Sequence, residues 1–274
     1  MARKTQDEIV ADVLNKIETL FDQDQPLHDR MDMDYSSWRL THFVPDEEEG
    51  VDPEDAYTTN SLRTLADKIE SFISGSEQVV RVHNDAADEQ KRAANDNLER
   101  LVIGMHRQIN KRLQRKGEPL LVSQLAWYST VRGGRIAARS LLRKKPNGDT
   151  FAEIKPLDPR HLVVQYGEEE PIFAAYRMTQ TRSEIRDTYK NFKFYDVTLD
   201  DGHEVEFVYD CYERQIVNGE VKYMNYVIID DHYAKKPADT FAMMFPICTV
   251  PVGSVPLLAT SDTGMRQIDS MADI

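Results

Sequence analysis

Between Arg100 and Lys145 the chain carries twelve Lys/Arg residues and a single acid, Glu118. The net charge of the whole chain is −13, so the +11 of this block leaves −24 on the remainder. Crowded guanidinium and ammonium groups suit three uses. They can neutralise phosphates, pair with carboxylates on a neighbouring surface, or stay hydrated on the outer face of a helix. The spacing of Arg100, Arg107, Lys111 and Arg115 places them largely on one helix face, and Arg132, Arg135, Arg139 and Arg143 recur along the segments that follow. Arg107, Lys111, Arg112, Arg115, Arg132, Arg135 and Arg139 are therefore the candidates for facing a subunit boundary or a phosphate. All three uses stay open at this point.

Other chemistry fails at required positions. A phosphate-binding loop needs glycines followed by Lys and Ser/Thr, and none occurs. Arg132-Gly133-Gly134-Arg135 follows a helical pattern and precedes an extended one, the reverse of a dinucleotide fingerprint, so it reads as a turn. Asp196, Thr198, Asp200, Asp201 and Gly202 brush against a calcium loop, but the glycine is late and no glutamate closes it. Asp230-Asp231-His232 reads as a polar exit from a strand, with metal ligation the lesser alternative. The seven histidines show no HExxH or HxH spacing, and no serine lies in a GxSxG elbow. The 47 acids allow many carboxylate pairs, which leaves a nuclease-like cluster neither supported nor excluded. The expectation is a non-enzyme, with no catalytic residue, no metal ligand and no cofactor.

The elements that must position the basic residues follow from periodicity. Residues 5–21 predict an amphipathic helix through Ile9, Val10, Val13, Leu14, Ile17 and Leu20. Residues 44–55 hold seven acids, two prolines and a glycine, and read as a solvated loop. Thr59 or Asn60 can cap a helix whose apolar face is Leu62, Leu65, Ala66, Ile69, Phe72 and Ile73, with Gly75 as its stop. Glu77 to Val82 is strand-like. Asp85 then opens a long helix to about Lys116, with Leu98, Leu101, Val102, Met105, Ile109 and Leu113 as the predicted buried stripe. It begins acidic and ends basic, which suits the helix dipole and explains part of the basic block. A third helix covers about Leu120 to Val131.

After Gly133-Gly134 the period changes to alternation. Arg135 to Leu142, Phe151 to Ile154, Leu162 to Val164 and Ile172 to Tyr176 predict strands, with a turn at Pro146-Asn147-Gly148-Asp149 and a short helix near Ser183. Residues 193–229 give the clearest sheet signal, with turns at Asp200-Asp201-Gly202 and Asn218-Gly219. The predicted fold class is α+β, with long helices in the N-terminal half and an antiparallel, hairpin-connected β-rich region after them. The corresponding units are 1–56, an N-terminal helix and acidic loop; 57–134, helical; 135–245, β-rich; and 246–274, a Pro-punctuated linker into a further helix. Thr263 to Ile274 opens that helix without a stop signal, so the expectation is a chain that continues.

Bulk composition adds limits. Length suffices for one large domain or two ordinary ones. No stretch approaches the roughly 20 apolar residues of a membrane span, and the N-terminus lacks the apolar core of a signal peptide. Cys211 and Cys248 predict two buried free thiols in a reducing compartment. A sequence pI near 5.0 argues against wholesale coating of nucleic acid.

Three short strings carry a family resemblance. Asp32-Met33-Asp34-Tyr35-Ser36-Ser37-Trp38-Arg39 precedes Tyr57-Thr58-Thr59-Asn60-Ser61-Leu62-Arg63-Thr64-Leu65-Ala66-Asp67-Lys68-Ile69, and Ile154-Lys155-Pro156-Leu157-Asp158-Pro159-Arg160 follows the long helices. In content and order, over roughly residues 30–240, they resemble the wing domain of the portal proteins of tailed bacteriophages, the head-to-tail connectors. The resemblance implies that 57–134 is a helical wing subdomain and 135–245 a β-rich one. It further implies a ring homo-oligomer, usually a dodecamer, at one capsid vertex of the virion, assembled in the host cytoplasm. Double-stranded DNA crosses such a ring, the terminase docks on it, head-completion and tail adaptor proteins replace the terminase, and the major capsid protein surrounds it. No membrane is involved. The stem, clip and crown of that family have no counterpart before Ile274. The alternatives are a metal-dependent, nucleic-acid-processing enzyme and another virion head–tail adaptor.

Overall fold

The computed structural model describes residues 5–41, 60–76, 89–144, 148–194 and 203–252, with the side chains of 89–94 excepted. The fold is α+β, built from antiparallel sheets and helices in layers. The acidic loop at 46–55, the strand-like run at 77–82, the turn residues 200–202, the calcium-like residues 196–202 and the helix pattern at 263–274 lie outside the described residues, as does Asp85.

Helix α1, Gln6–Gln23, begins with a capping box. Thr5 Oγ1 accepts from the Glu8 N–H at 3.3 Å, and the Thr5 N–H donates to Glu8 Oε2 at 2.7 Å. Its buried stripe is Val10, Ile17 and Phe21. Helix α2, Gln25–Arg39, follows with Pro26 in its first turn and ends at Leu40, which is left-handed at φ 62°. The sequence periodicity leaves α2 unassigned. Its buried residues include His28, Asp34 and Ser37, so no clean apolar stripe announces it.

The central layer is a five-stranded meander in the order β3-β4-β5-β6-β7: Leu162–Tyr166, Pro171–Thr181, Val205–Val217, Glu220–Ile229 and His232–Asp239. Alternation sends Val163, Phe173, Ala175, Cys211, Tyr226 and Ile228 to one face, where they meet α1. Leu162, Val164, Ala174 and Tyr212 go to the other face. They meet Ala137 and Leu157 of a smaller sheet, β2-β1-β8, formed by Thr150–Leu157, Arg135–Lys144 and Ile247–Pro251. Asn218-Gly219, with φ 54° and 84°, closes β5 onto β6; Asp230-Asp231, with φ 45° and 57°, closes β6 onto β7. Strand β8 lies where the sequence pattern predicts a linker. Its five residues pair with β1 from Arg135↔Pro251 to Arg139↔Ile247.

Two further helices cover the outer side of the small sheet. Helix α4, Glu89–Arg115, and helix α5, Leu121–Trp127, bury Ile109, Leu113 and Leu121 against Ala152 of β2. The predicted α4 stripe is buried only there: Leu98 and Leu101 are exposed, Leu101 by 58%. Helix α3, Ser61–Gly75, departs further from expectation. It packs on α5 and α2 through Ala66, while Leu65, Ile69, Phe72 and Ile73 face outward, Phe72 82% exposed. Its apolar stripe is real, but nothing among the described residues covers it. Not all helices are N-terminal. Helix α6, Arg182–Thr188, sits between β4 and β5, is capped by Thr181 with Glu184, and buries Ile185 on Val208, Val227 and Ile229.

Cys211 is buried and Cys248 exposed, so the expectation of two buried thiols holds for one. No helix among the described residues is long and apolar enough to cross a membrane.

Candidate functional site

The sequence-predicted basic residues divide by the element that carries them. On α4, Arg107, Lys111 and Arg115 point away from the Ile109–Leu113 stripe and are exposed, with no ion pair among the described residues. Arg112, on the flank of that helix, turns inward. Its Nη1 donates to the Ala152 carbonyl at 3.3 Å, its Nη2 lies 3.7 Å from Glu153, and its guanidinium stacks 4.0 Å above the Phe151 ring.

Arg132, Arg135 and Arg139 are drawn into two ionic clusters. The first forms where the chain passes from α5 through a π-helical turn, Tyr128–Arg132, into β1. Gly133 and Gly134 both take φ +63° there, which is the turn read from the sequence. At Gly134 the approach of α2 is so close that a Cβ would stand 2.5 Å from Leu27 Cδ1. Arg132 Nη2 donates to Asp158 Oδ2 at 2.9 Å and its Nη1 to Asp32 Oδ1 at 3.4 Å, with the guanidinium 4.6 Å above Tyr35. Arg160 Nε donates to the other Asp32 oxygen at 2.7 Å. Arg135 Nη2 pairs with Asp24 at 2.9 Å and donates to the Leu162 carbonyl. Asp158 also caps the 3-10 turn Pro159–His161 through the Arg160 N–H at 3.0 Å. One cluster thus ties α2, the π-turn, β1 and the step from β2 into β3.

An aromatic group continues the cluster outward. Trp127 meets Trp38 edge-on at 5.7 Å and Tyr35 at 6.2 Å; Trp38 Nε1 donates to Asp67 of α3 at 3.2 Å beneath the Arg63 guanidinium. His28 lies fully buried beside this junction. Its ring faces Phe21 at 5.5 Å, and neither nitrogen has a hydrogen-bond partner. Burial, helped by Arg135, Arg160, Arg177 and His161, pushes its pKa down to about 3, so it is neutral.

The second cluster bridges the two sheets. Arg139 of β1 donates from Nη1 to Asp210 at 2.8 Å and to the Tyr212 hydroxyl at 3.2 Å, and from Nη2 to Glu153 at 3.1 Å. Asn225 Nδ2 donates to the second Asp210 oxygen at 2.7 Å, and Lys235 donates to Asn225 Oδ1. Glu153 also takes Arg143. Burial alone would raise the Glu153 carboxyl, but Arg143, Arg139 and Arg112 overcome it and hold the pKa below the usual glutamate value. Burial opposes the Arg139 charge likewise, and Tyr212, Asp210 and Glu153 outweigh it.

These clusters can hold elements in place; a nucleophile paired with a base is not among their geometries. Asp230-Asp231-His232 forms the β6–β7 turn, with His232 Nδ1 against the Asp230 carbonyl. Among the described residues no group of three or more His, Cys, Asp or Glu is placed to hold a metal ion. Sequence reasoning missed the acidic partners Asp24, Asp32, Glu153, Asp158 and Asp210. One signal was available: Arg135, Ala137, Arg139 and Leu141 share a strand face, so the core-facing alanine and leucine already place both arginines inward. No protein-family model and no curated protein matches this chain.

Proposed function

We propose that the chain is a structural, non-enzymatic subunit of a phage portal ring, represented by its wing. The observation that carries this reading is convergence. The three strings that resemble portal wings lie far apart in sequence yet meet at one junction, through Asp32 with Arg160 and Arg132, Arg132 with Asp158, and Trp38 with Asp67. The Leu157-Asp158-Pro159-Arg160 step is the point where the chain leaves the small sheet for the large one. Resemblance confined to chance strings gives no reason for such coupling.

In this reading copies close into a ring, twelve by resemblance, around double-stranded DNA at the capsid vertex of the virion. The terminase and later the head-completion or tail proteins dock on it, within the major capsid shell. Arg107, Lys111 and Arg115, the exposed members of the basic block, face an acidic surface of the next copy. A head-to-tail contact of this kind closes by rotation and sets unlike faces together. The outward stripe Leu65, Ile69, Phe72 and Ile73 supplies apolar area for an assembly.

Native mass spectrometry and negative-stain images of the full chain test the proposal. Ring-sized oligomers are expected. A monomer across the accessible concentration range overturns the portal reading, and metal-dependent cleavage of plasmid DNA, lost on changing one acid, replaces it with the nuclease.

A further inference from the structure

We propose that the basic face of α4 docks in the groove that α1 forms with β5 and the β6–β7 turn of a second copy of this chain. The inference rests on the ring reading above and says which two surfaces of the copies meet.

The groove measures about 1080 Å³, and Leu14, Ile17, Phe21 and Phe207 supply its apolar lining. Asp7, Glu18 and Asp22 border it from α1, and Asp230 and Asp231 from the β6–β7 turn. All five acids are exposed, and none has an ion pair among the described residues. A sixth acid, Glu206, is held by Arg182. Of the two guanidiniums in the groove, Arg160 is committed to Asp32, and Arg177 lies over the Phe21 and Phe207 rings at 4.3 and 5.2 Å. An apolar lining edged by unpaired carboxylates suits long cationic side chains, whose stems cover apolar surface while their heads meet the acids.

The face of α4 matches this edge in length and spacing. Arg100, Arg107, Lys111 and Arg115 are exposed on one side of the helix, with no ion pair among the described residues. On α1 the corresponding stripe is Asp7, Ala11, Asn15, Glu18 and Asp22, all exposed. Both stripes start on a charge, Asp7 or Arg100. Both carry a small residue four positions on, Ala11 or Gly104, and charges again eleven and fifteen positions on. Each is roughly 22 Å long at about 1.5 Å per residue. Laid parallel, the helices set Asp7 by Arg100, Glu18 by Lys111 and Asp22 by Arg115. Ala11 then faces Gly104, where the small side chains let the axes approach. The antiparallel arrangement sets Lys111 against Ala11 and Glu18 against Gly104, and loses that match.

The layers put the two surfaces where a head-to-tail contact needs them. Helix α1 lies on one face of the large sheet, the small sheet on the other, and α4 on the outer side of the small sheet. The basic stripe and the acidic groove therefore lie on opposite sides of the stack. No copy can join its own two surfaces, and each copy offers one to either neighbour.

The test uses the full chain and charge reversal. One variant carries Glu18→Lys and Asp22→Lys, the other Lys111→Glu and Arg115→Glu. Each alone should associate about a hundredfold more weakly than the natural chain in sedimentation, because like charges then face each other. Mixed, they should form a one-to-one pair and nothing larger, since the mixture holds one intact groove and one intact stripe. A chain with all four reversals should recover part of the association. Because a variant can fail to fold, the natural chain is also treated with a carbodiimide, using mixed isotope-labelled and unlabelled copies. Lys111 should join to Glu18 or Asp22 of another copy. Variants that associate like the natural chain, or a natural assembly without that cross-link, overturn the inference, and the ring reading survives if rings still form. Open head-to-tail chains that carry the cross-link uphold the inference and overturn the ring. A natural chain that stays monomeric overturns both.

Discussion

Two stretches of the same basic block, one on α4 and one running into β1, meet opposite fates. On α4 the helical period sets Arg107, Lys111 and Arg115 opposite Ile109 and Leu113, so burial of the apolar stripe pushes the cations into water. On β1 the period is two. Arg135 and Arg139 share the face of Ala137, which is 1% exposed, and folding carries them inward with it. Both stretches are rich in Lys and Arg. What differs is the period of the element, and only the inward set obliges the rest of the chain to supply carboxylates: Asp24 from the head of α2, Glu153 from β2 and Asp210 from β5.

The sharpest way to break this contrast is Arg139→Met. Asp210 would keep Asn225 but lose its cation, and Glu153 would remain partly buried beside the gap. Removing one partner from such a set costs about 3–5 kcal/mol. Urea unfolding should show a loss of that order, and Asp210→Asn in the Arg139→Met background should recover part of it. A loss below about 1 kcal/mol would mean that the bridge behaves as a surface pair.

The junction cluster is less sensitive but more geometric. Gly134→Ala needs a Cβ at φ +63° and 2.5 Å from Leu27 Cδ1. The expected cost is about 1–3 kcal/mol, read from denaturant midpoints. A double variant with Leu27→Ala should not lose the sum of both changes, since the smaller side chain relieves the clash.

Acid should act on both clusters in one direction. His28 is neutral in the fold with a pKa near 3, against 6.5 when unfolded. Between those values the unfolded chain binds more protons, so stability falls as pH drops from about 6.5 toward 3. Glu153, held below its ordinary value, contributes stability present above its unfolded pKa and lost as pH falls through the folded one. His28→Phe removes the first contribution only. Its stability should change less than that of the natural protein between pH 6.5 and 5, where Glu153 is still ionised. Parallel pH profiles would contradict the neutral, buried assignment.

Much of the architecture is legible in the sequence. The alternation from Arg135 onward, the Asn218-Gly219 turn and the glycine pair at 133–134 are local signals, and local physics decides them. The α2 helix, β8 and the outward face of α3 are not legible for a shared reason. Each depends on what lies across from it: α2 buries polar groups where it packs on the π-turn and α3, β8 completes a sheet begun more than a hundred residues earlier, and the α3 stripe has no described cover. The candidate site follows the same rule. The arginines are visible as a run, whereas their carboxylates come from five separate places and no spacing connects them.

The smallest effect belongs to the exposed set, and it is the most discriminating. Arg107→Gln, Lys111→Gln and Arg115→Gln remove charges that pair with no acid among the described residues, so monomer stability should stay within about 0.5 kcal/mol for each. If they face the acidic surface of the next copy, the cost appears only in assembly. Single pairs at such a boundary are worth about 0–1 kcal/mol, so the single variants should weaken association slightly and the triple variant clearly. Screening reaches about 8 Å at 0.15 M salt, and raising salt should weaken the natural assembly while leaving the triple variant's weaker association nearly unchanged. Sedimentation at graded salt measures both. A triple variant that assembles as tightly as the natural chain, with the same salt response, would leave these residues as hydrated surface. The contrast between α4 and β1 would then be one of packing alone.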